Sequence, residues 1–137
     1  KPWRTKLSPC GDVSGKTIGV LGLAFKQNTD DMRDAPSLDI VPALVAAGAK
    51  IKAFDPEAME EAKHLLNGID YCENAYDAAE GADAMVIVTE RDQFRALDLE
   101  RIKAALKEDI VVDLRNIYTP EDMAKRGFAY TSIGRPI

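Results

Sequence analysis

The 137-residue chain predicts a three-layer α/β domain around a mostly parallel, six-stranded sheet. Three observations carry this. Short runs such as Ile18-Gly19-Val20-Leu21, Ala84-Met85-Val86-Ile87-Val88 and Ile110-Val111-Val112 have strand length and no polar alternation, as strands buried on both faces do. Stretches with helical spacing of apolar residues separate them. Glycines at 48, 68 and 81 stop successive segments. Strands alternating with helices of this length form βαβ units, and hence a doubly wound, Rossmann-like sheet.

The elements follow in order. Residues 1–15, with Pro2, Pro9, Gly11 and Gly15, read as a lead-in, and residues 16–137 as the domain proper. Residues 17–24 form the first strand. Ser37 is placed to cap a helix running to about Ala47, with Leu38, Val41, Leu44 and Val45 on one stripe. Pro42 lies inside that stretch and requires a late start or a bend. Lys50 to Phe54 is the second strand, ending at Asp55-Pro56. A helix follows with Met59, Ala62, Leu65 and Leu66. Asp70 to Cys72 is a short third strand, Ala75 to Ala79 a short helix, and Ala84 to Val88 the fourth strand. Phe94, Leu97, Leu99, Ile102 and Leu106 place a helix around residues 98–107. Ile110 to Leu114 and Ala129 to Ile133 are strands five and six.

One domain of ordinary size is implied, long enough for a sizeable core. A net charge of −5 argues against nucleic acid, whose backbone needs a basic footprint. A local group of cations can still oppose it and hold a small anion. Cys10 and Cys72 form no C-x-x-C pattern, and the single His64 supplies no metal cluster; all three read as structural or exposed. Few cysteines fit a reduced intracellular compartment. No run approaches the roughly 18 apolar residues of a membrane span. The chain does not begin with Met and reads as a fragment or processed piece.

The polar run from Gly22 to Pro36 carries the chemistry. It leaves the carboxyl end of the first strand, where open α/β sheets bind ligands. Lys26 and Arg33 stand there among Asp30, Asp31 and Asp34, and such cations suit a phosphate or pyrophosphate. Phe25 and Lys26 also read as a core-edge aromatic beside a surface lysine, and Arg33 as part of an ion-pair network stiffening the loop. Gly19-Val20-Leu21-Gly22 is not G-x-G-x-x-G, so a dinucleotide cradle is disfavoured here. Asp55 reads as a cap before Pro56 rather than a ribose ligand. Arg115 ends the fifth strand on the ligand-facing edge; a salt bridge to Asp113 is its structural alternative.

Gly22-Leu23-Ala24-Phe25-Lys26, then Asn28-Thr29-Asp30-Asp31-Met32-Arg33, then Ala35-Pro36-Ser37, resembles the opening of the C-terminal domain of the UDP-glucose/GDP-mannose dehydrogenase family. Ala53-Phe54-Asp55-Pro56, the run Gly81 to Glu90, Val112-Asp113-Leu114-Arg115-Asn116-Ile117-Tyr118 and Tyr130 to Arg135 are similar to later strands of that domain. The matches keep their order over nearly the whole chain. Two departures stand out. Arg91 replaces the aromatic of the family's Thr-Glu-Trp, and Leu114 stands where many relatives have glycine.

The resemblance implies roles. Phe25 lines the UDP-sugar pocket, Lys26 approaches the sugar, Arg115 binds the UDP-sugar, and Arg33 reaches towards the NAD pyrophosphate across an interdomain cleft. No such role is implied for Asn116 and Tyr118, which read only as supports of the fifth-strand loop. The family oxidises the sugar C6 hydroxyl to a carboxylate by two hydride transfers to NAD, with a cysteine thiol carrying covalent intermediates. That cysteine and the glycine-rich NAD loop belong to N-terminal regions outside this chain, as does the central helical region. No catalytic or metal-binding residue is therefore assigned, and the isolated domain is expected to bind without turnover. UDP-glucose is the favoured sugar, with GDP-mannose and UDP-N-acetyl sugars open. The implied setting is a cytoplasmic homodimer or higher oligomer serving polysaccharide biosynthesis, with UDP-sugar and NAD as partners and no nucleic acid or membrane. A stand-alone nucleotide-binding or regulatory module is the alternative. A mere interface domain would leave Lys26, Arg33 and Arg115 unexplained.

Overall fold

A computed structural model describes residues 13–24, 32 and 35–132. Six strands, β1 (Thr17–Leu21), β2 (Lys50–Phe54), β3 (Asp70–Tyr71), β4 (Ala84–Ile87), β5 (Ile110–Asp113) and β6 (Ala129–Ser132), form one sheet in the order β3-β2-β1-β4-β5-β6. Every pairing is parallel, so the expected "mostly parallel" sheet is wholly so. The order reverses between β1 and β4, which is the topological switch point of a doubly wound sheet.

Both faces are covered. Ile18, Val20, Ile51, Val86 and Val112 pack with α1 (Ser37–Ala46) and α2 (Met59–Lys63). Leu21, Met85, Ile87 and Val111 pack on the other side with α3 (Ala75–Ala79), α4 (Asp92–Arg95), α5 (Leu99–Ala105) and α6 (Pro120–Lys125). Successive strand residues therefore enter opposite cores, which is why these runs lack polar alternation. Gly19 lets α3 approach β1: a Cβ there would stand 2.7 Å from the Ala78 carbonyl oxygen.

Several expectations change. Ser37 is the first residue of α1, not its cap; Pro36 holds the cap position, and the Ser37 hydroxyl donates to the Leu23 carbonyl at 2.7 Å. Pro42 sits within α1 on its exposed side, and the helix neither starts late nor excludes it. The buried stripe of α1 is Ser37, Ile40, Val41 and Leu44, while Val45 is exposed. The single helix expected around 98–107 is two: Phe94 belongs to α4, and Asp98 caps α5 by accepting from Glu100 and Arg101 N–H. Helix α6 was not anticipated, although Thr119 accepting from Asp122 N–H, followed by Pro120, is a helix start. Packing begins within the expected lead-in, since Val13 is buried and Gly15 N–H donates to Gly48.

Candidate nucleotide-binding edge

Six buried polar or charged side chains occur among the described residues: Ser37, Asp55, Thr89, Arg91, Asp113 and Ser132. All lie at the carboxyl edge of the sheet or in the segments leaving it. Burying polar groups is unfavourable unless they are hydrogen-bonded, so this edge is a built polar framework rather than packing residue.

Asp55 is the hub at the switch point. One carboxylate oxygen accepts from the N–H groups of Leu23 (2.7 Å) and Ala24 (3.2 Å), just beyond β1. The other accepts from Glu57 (2.8 Å) and Ala58 (3.1 Å), closing the turn at Pro56 as the capping expectation requires. The Arg91 guanidinium reaches the same oxygen at 2.7 Å and Glu57 at 3.0 Å. Burial would push the Asp55 carboxyl up, but the donors from Leu23, Glu57, Arg91 and Ala24 outweigh it and hold its pKa below the ordinary value. Thr89 closes the opposite side, its hydroxyl donating to the Ala24 carbonyl at 2.6 Å.

This arrangement does not fit a dinucleotide at the β1 turn. A pyrophosphate there needs an open crevice and free backbone N–H groups. The N–H groups of Leu23 and Ala24 are taken by Asp55, an anion belonging to the chain itself. Gly22, at φ +93°, abuts β4's continuation so closely that a Cβ would lie 2.4 Å from that of Thr89.

The fifth-strand edge is different. Asp113 is fully buried and accepts from Arg115 N–H (3.0 Å), Ile117 N–H (2.8 Å) and Tyr118 N–H (3.1 Å). The Tyr130 hydroxyl on β6 donates to the same carboxylate at 2.6 Å. Asn116 takes the left-handed conformation, φ 58°, between the bonded residues. The turn holds Arg115 half-buried at the strand end, where Ile87 of β4 pairs with Asp113. Asp113 thus binds the backbone of Arg115; among the described residues the Arg115 guanidinium makes no ion pair. Tyr118 supports the loop as expected, its hydroxyl donating to the Phe94 carbonyl, with burial and the nearby Asp113 charge raising its pKa.

Phe25, Lys26 and Arg33 lie outside the described residues, as does Cys10. Cys72 is half-buried. Burial raises its thiol pKa, Asp77 and Asp70 add to this, and Lys52 opposes it, so it is no activated nucleophile. No cluster able to hold a metal occurs among the described residues. No helix among them is long and apolar enough to cross a membrane. Sequence reasoning missed the Asp55–Arg91 pair and the Tyr130–Asp113 bond. The available signals were Asp55 directly after β2, Asp113 closing β5, and Glu90-Arg91 shortly beyond β4.

Residues 19–120 match the model of the UDP-glucose/GDP-mannose dehydrogenase family, UDP binding domain. The chain belongs to this family. Among curated members, it is 54% identical over 126 residues to the UDP-glucose 6-dehydrogenase of Rhizobium meliloti, covering 92% of this chain and 29% of that protein. It is 44% identical over 131 residues to the UDP-glucose 6-dehydrogenase TuaD of Bacillus subtilis, covering 95% and 28%. Two solved structures share the fold of this family domain. One is the NDP-N-acetyl-D-galactosaminuronic acid dehydrogenase of Methanosarcina mazei (TM-score 0.81, 26% identity, 97% of this chain and 28% of that one). The other is a UDP-glucose dehydrogenase of Pyrobaculum islandicum (TM-score 0.77, 29% identity, 93% and 27%). The chain therefore spans less than a third of the length of these relatives.

Proposed function

We propose that this chain is the nucleotide-gripping domain of a UDP-glucose 6-dehydrogenase, which oxidises UDP-glucose to UDP-glucuronate with two NAD. The observation that supports it most is Arg115: a cation without an ion-pair partner among the described residues, on a turn pinned by a buried carboxylate at the ligand-facing edge. Such a guanidinium suits a diphosphate. The family match, and relatives whose names specify UDP-glucose, favour a UDP-sugar.

In this reading Arg115 and Lys26 supply charge to the UDP-sugar and Phe25 supplies a wall. Arg33 extends to NAD, whose main seat is elsewhere in the protein, in keeping with the filled β1 turn. No residue of this chain carries the chemistry. Its contribution is remote binding energy, used to position the reacting sugar carbon. The protein acts in the cytoplasm as a homodimer or higher oligomer, and serves polysaccharide biosynthesis.

The test is calorimetric titration of the full-length protein with UDP, UDP-glucose and GDP. UDP and UDP-glucose are expected to bind, and GDP more weakly. Tighter binding of GDP would transfer the assignment to a GDP-sugar, and no nucleotide binding would overturn it.

A further inference from the structure

We infer that Tyr130 is a positioning residue for nucleotide binding, acting on Arg115 through Asp113. The inference rests on the reading of Arg115 as a nucleotide ligand. Tyr130 lies on the edge strand β6, and its ring is half-buried. Its hydroxyl is 2.6 Å from Asp113 Oδ2 and 3.0 Å from the Tyr118 carbonyl oxygen. That same Oδ2 accepts from Ile117 and Tyr118 N–H, while Oδ1 accepts from Arg115 N–H. One carboxylate therefore fixes both arms of a turn that includes a left-handed Asn116. The sheet fixes the Asp113 backbone, and the phenol holds its carboxylate from the neighbouring strand, opposite the turn's backbone donors. Tyr130 is the anchor that comes from a neighbouring strand. A guanidinium used to hold a phosphate oxygen depends on such orientation, since misdirected hydrogen bonds weaken steeply.

Tyr118 provides the comparison. Its hydroxyl donates to the Phe94 carbonyl, on α4. Removing it loosens the fold without releasing the anchor.

The experiment measures the Kd for UDP and the Tm of the full-length protein for Tyr130→Phe, Tyr118→Phe, Arg115→Ala and the Tyr130→Phe/Arg115→Ala double variant. Tyr130→Phe is expected to raise the Kd about three- to tenfold, the size of one lost hydrogen bond. Tyr118→Phe should lower Tm with the Kd unchanged. In the Arg115→Ala background, Tyr130→Phe should have no further effect on the Kd, because the two act through one interaction. A folded Tyr130→Phe protein with unchanged Kd, or with a loss no larger than that of Tyr118→Phe, would overturn the inference alone. An Arg115→Ala protein with unchanged Kd would instead remove the reading on which it stands.

Discussion

The Arg91 guanidinium and the Asp55 carboxylate meet at 2.7 Å with both side chains buried, joining the ends of β4 and β2 across β1. Asp55 also takes the backbone donors at which a phosphate would otherwise sit in a sheet of this kind. The switch point is thus neutralised internally, and Arg91 balances the charge that does so. Arg91, the departure from the family pattern noted in the sequence, is thus a cation buried by pairing.

Breaking that pair leaves a buried charge uncompensated. Arg91→Met is expected to lower stability by about 3–5 kcal/mol in urea unfolding of the chain. Arg91→Lys should recover part of this, because an ammonium keeps the charge but cannot bond Asp55 and Glu57 with the same fork. An Arg91→Met chain as stable as the parent would show that the pair contributes nothing.

The lowered pKa of Asp55 sets the sign of an acid effect. A carboxyl depressed in the folded state contributes stability above its unfolded value, about 3.9. That stability is lost as pH falls through the folded value. Unfolding free energy should therefore decline below about pH 4, and the Asp55→Asn chain, already less stable at neutral pH, should show a shallower decline. Parallel acid limbs would contradict this.

Gly22 and Gly68 share a positive φ but differ in surroundings. A Cβ on Gly68 meets nothing within 4 Å, whereas one on Gly22 runs into the Thr89 backbone nitrogen at 2.6 Å. Gly68→Ala should cost about 1–2 kcal/mol of left-handed strain. Gly22→Ala adds overpacking of about 1–3 kcal/mol. Thermal melts of the two variants check the difference.

What was readable in the sequence follows from range. Strands such as Ala84–Ile87, apolar on both faces, announce themselves locally, and Ala75–Ala79 forms the short helix before Gly81 as anticipated. Helices of four to six residues, such as Asp92–Arg95 and Pro120–Lys125, are too short for apolar periodicity to show; caps and burial of Phe94 and Met123 define them. The polar framework was hidden for another reason. Asp55 and Arg91 are 36 positions apart, and Tyr130 and Asp113 17 apart. The sheet order, rather than any local pattern, brings each pair together. Asp113 and Arg115 are close in sequence, yet where a salt bridge was the structural alternative the structure has a backbone bond, because a buried strand-end carboxylate first satisfies the N–H groups of its own turn.

The most direct measurement is the affinity of full-length Arg115→Ala protein for UDP and for NAD, by calorimetry. The account predicts that UDP binding weakens about 10- to 100-fold, the loss of a charge-assisted hydrogen bond, while NAD binding is nearly unchanged. Equal loss of both, or no loss of UDP affinity, would contradict it.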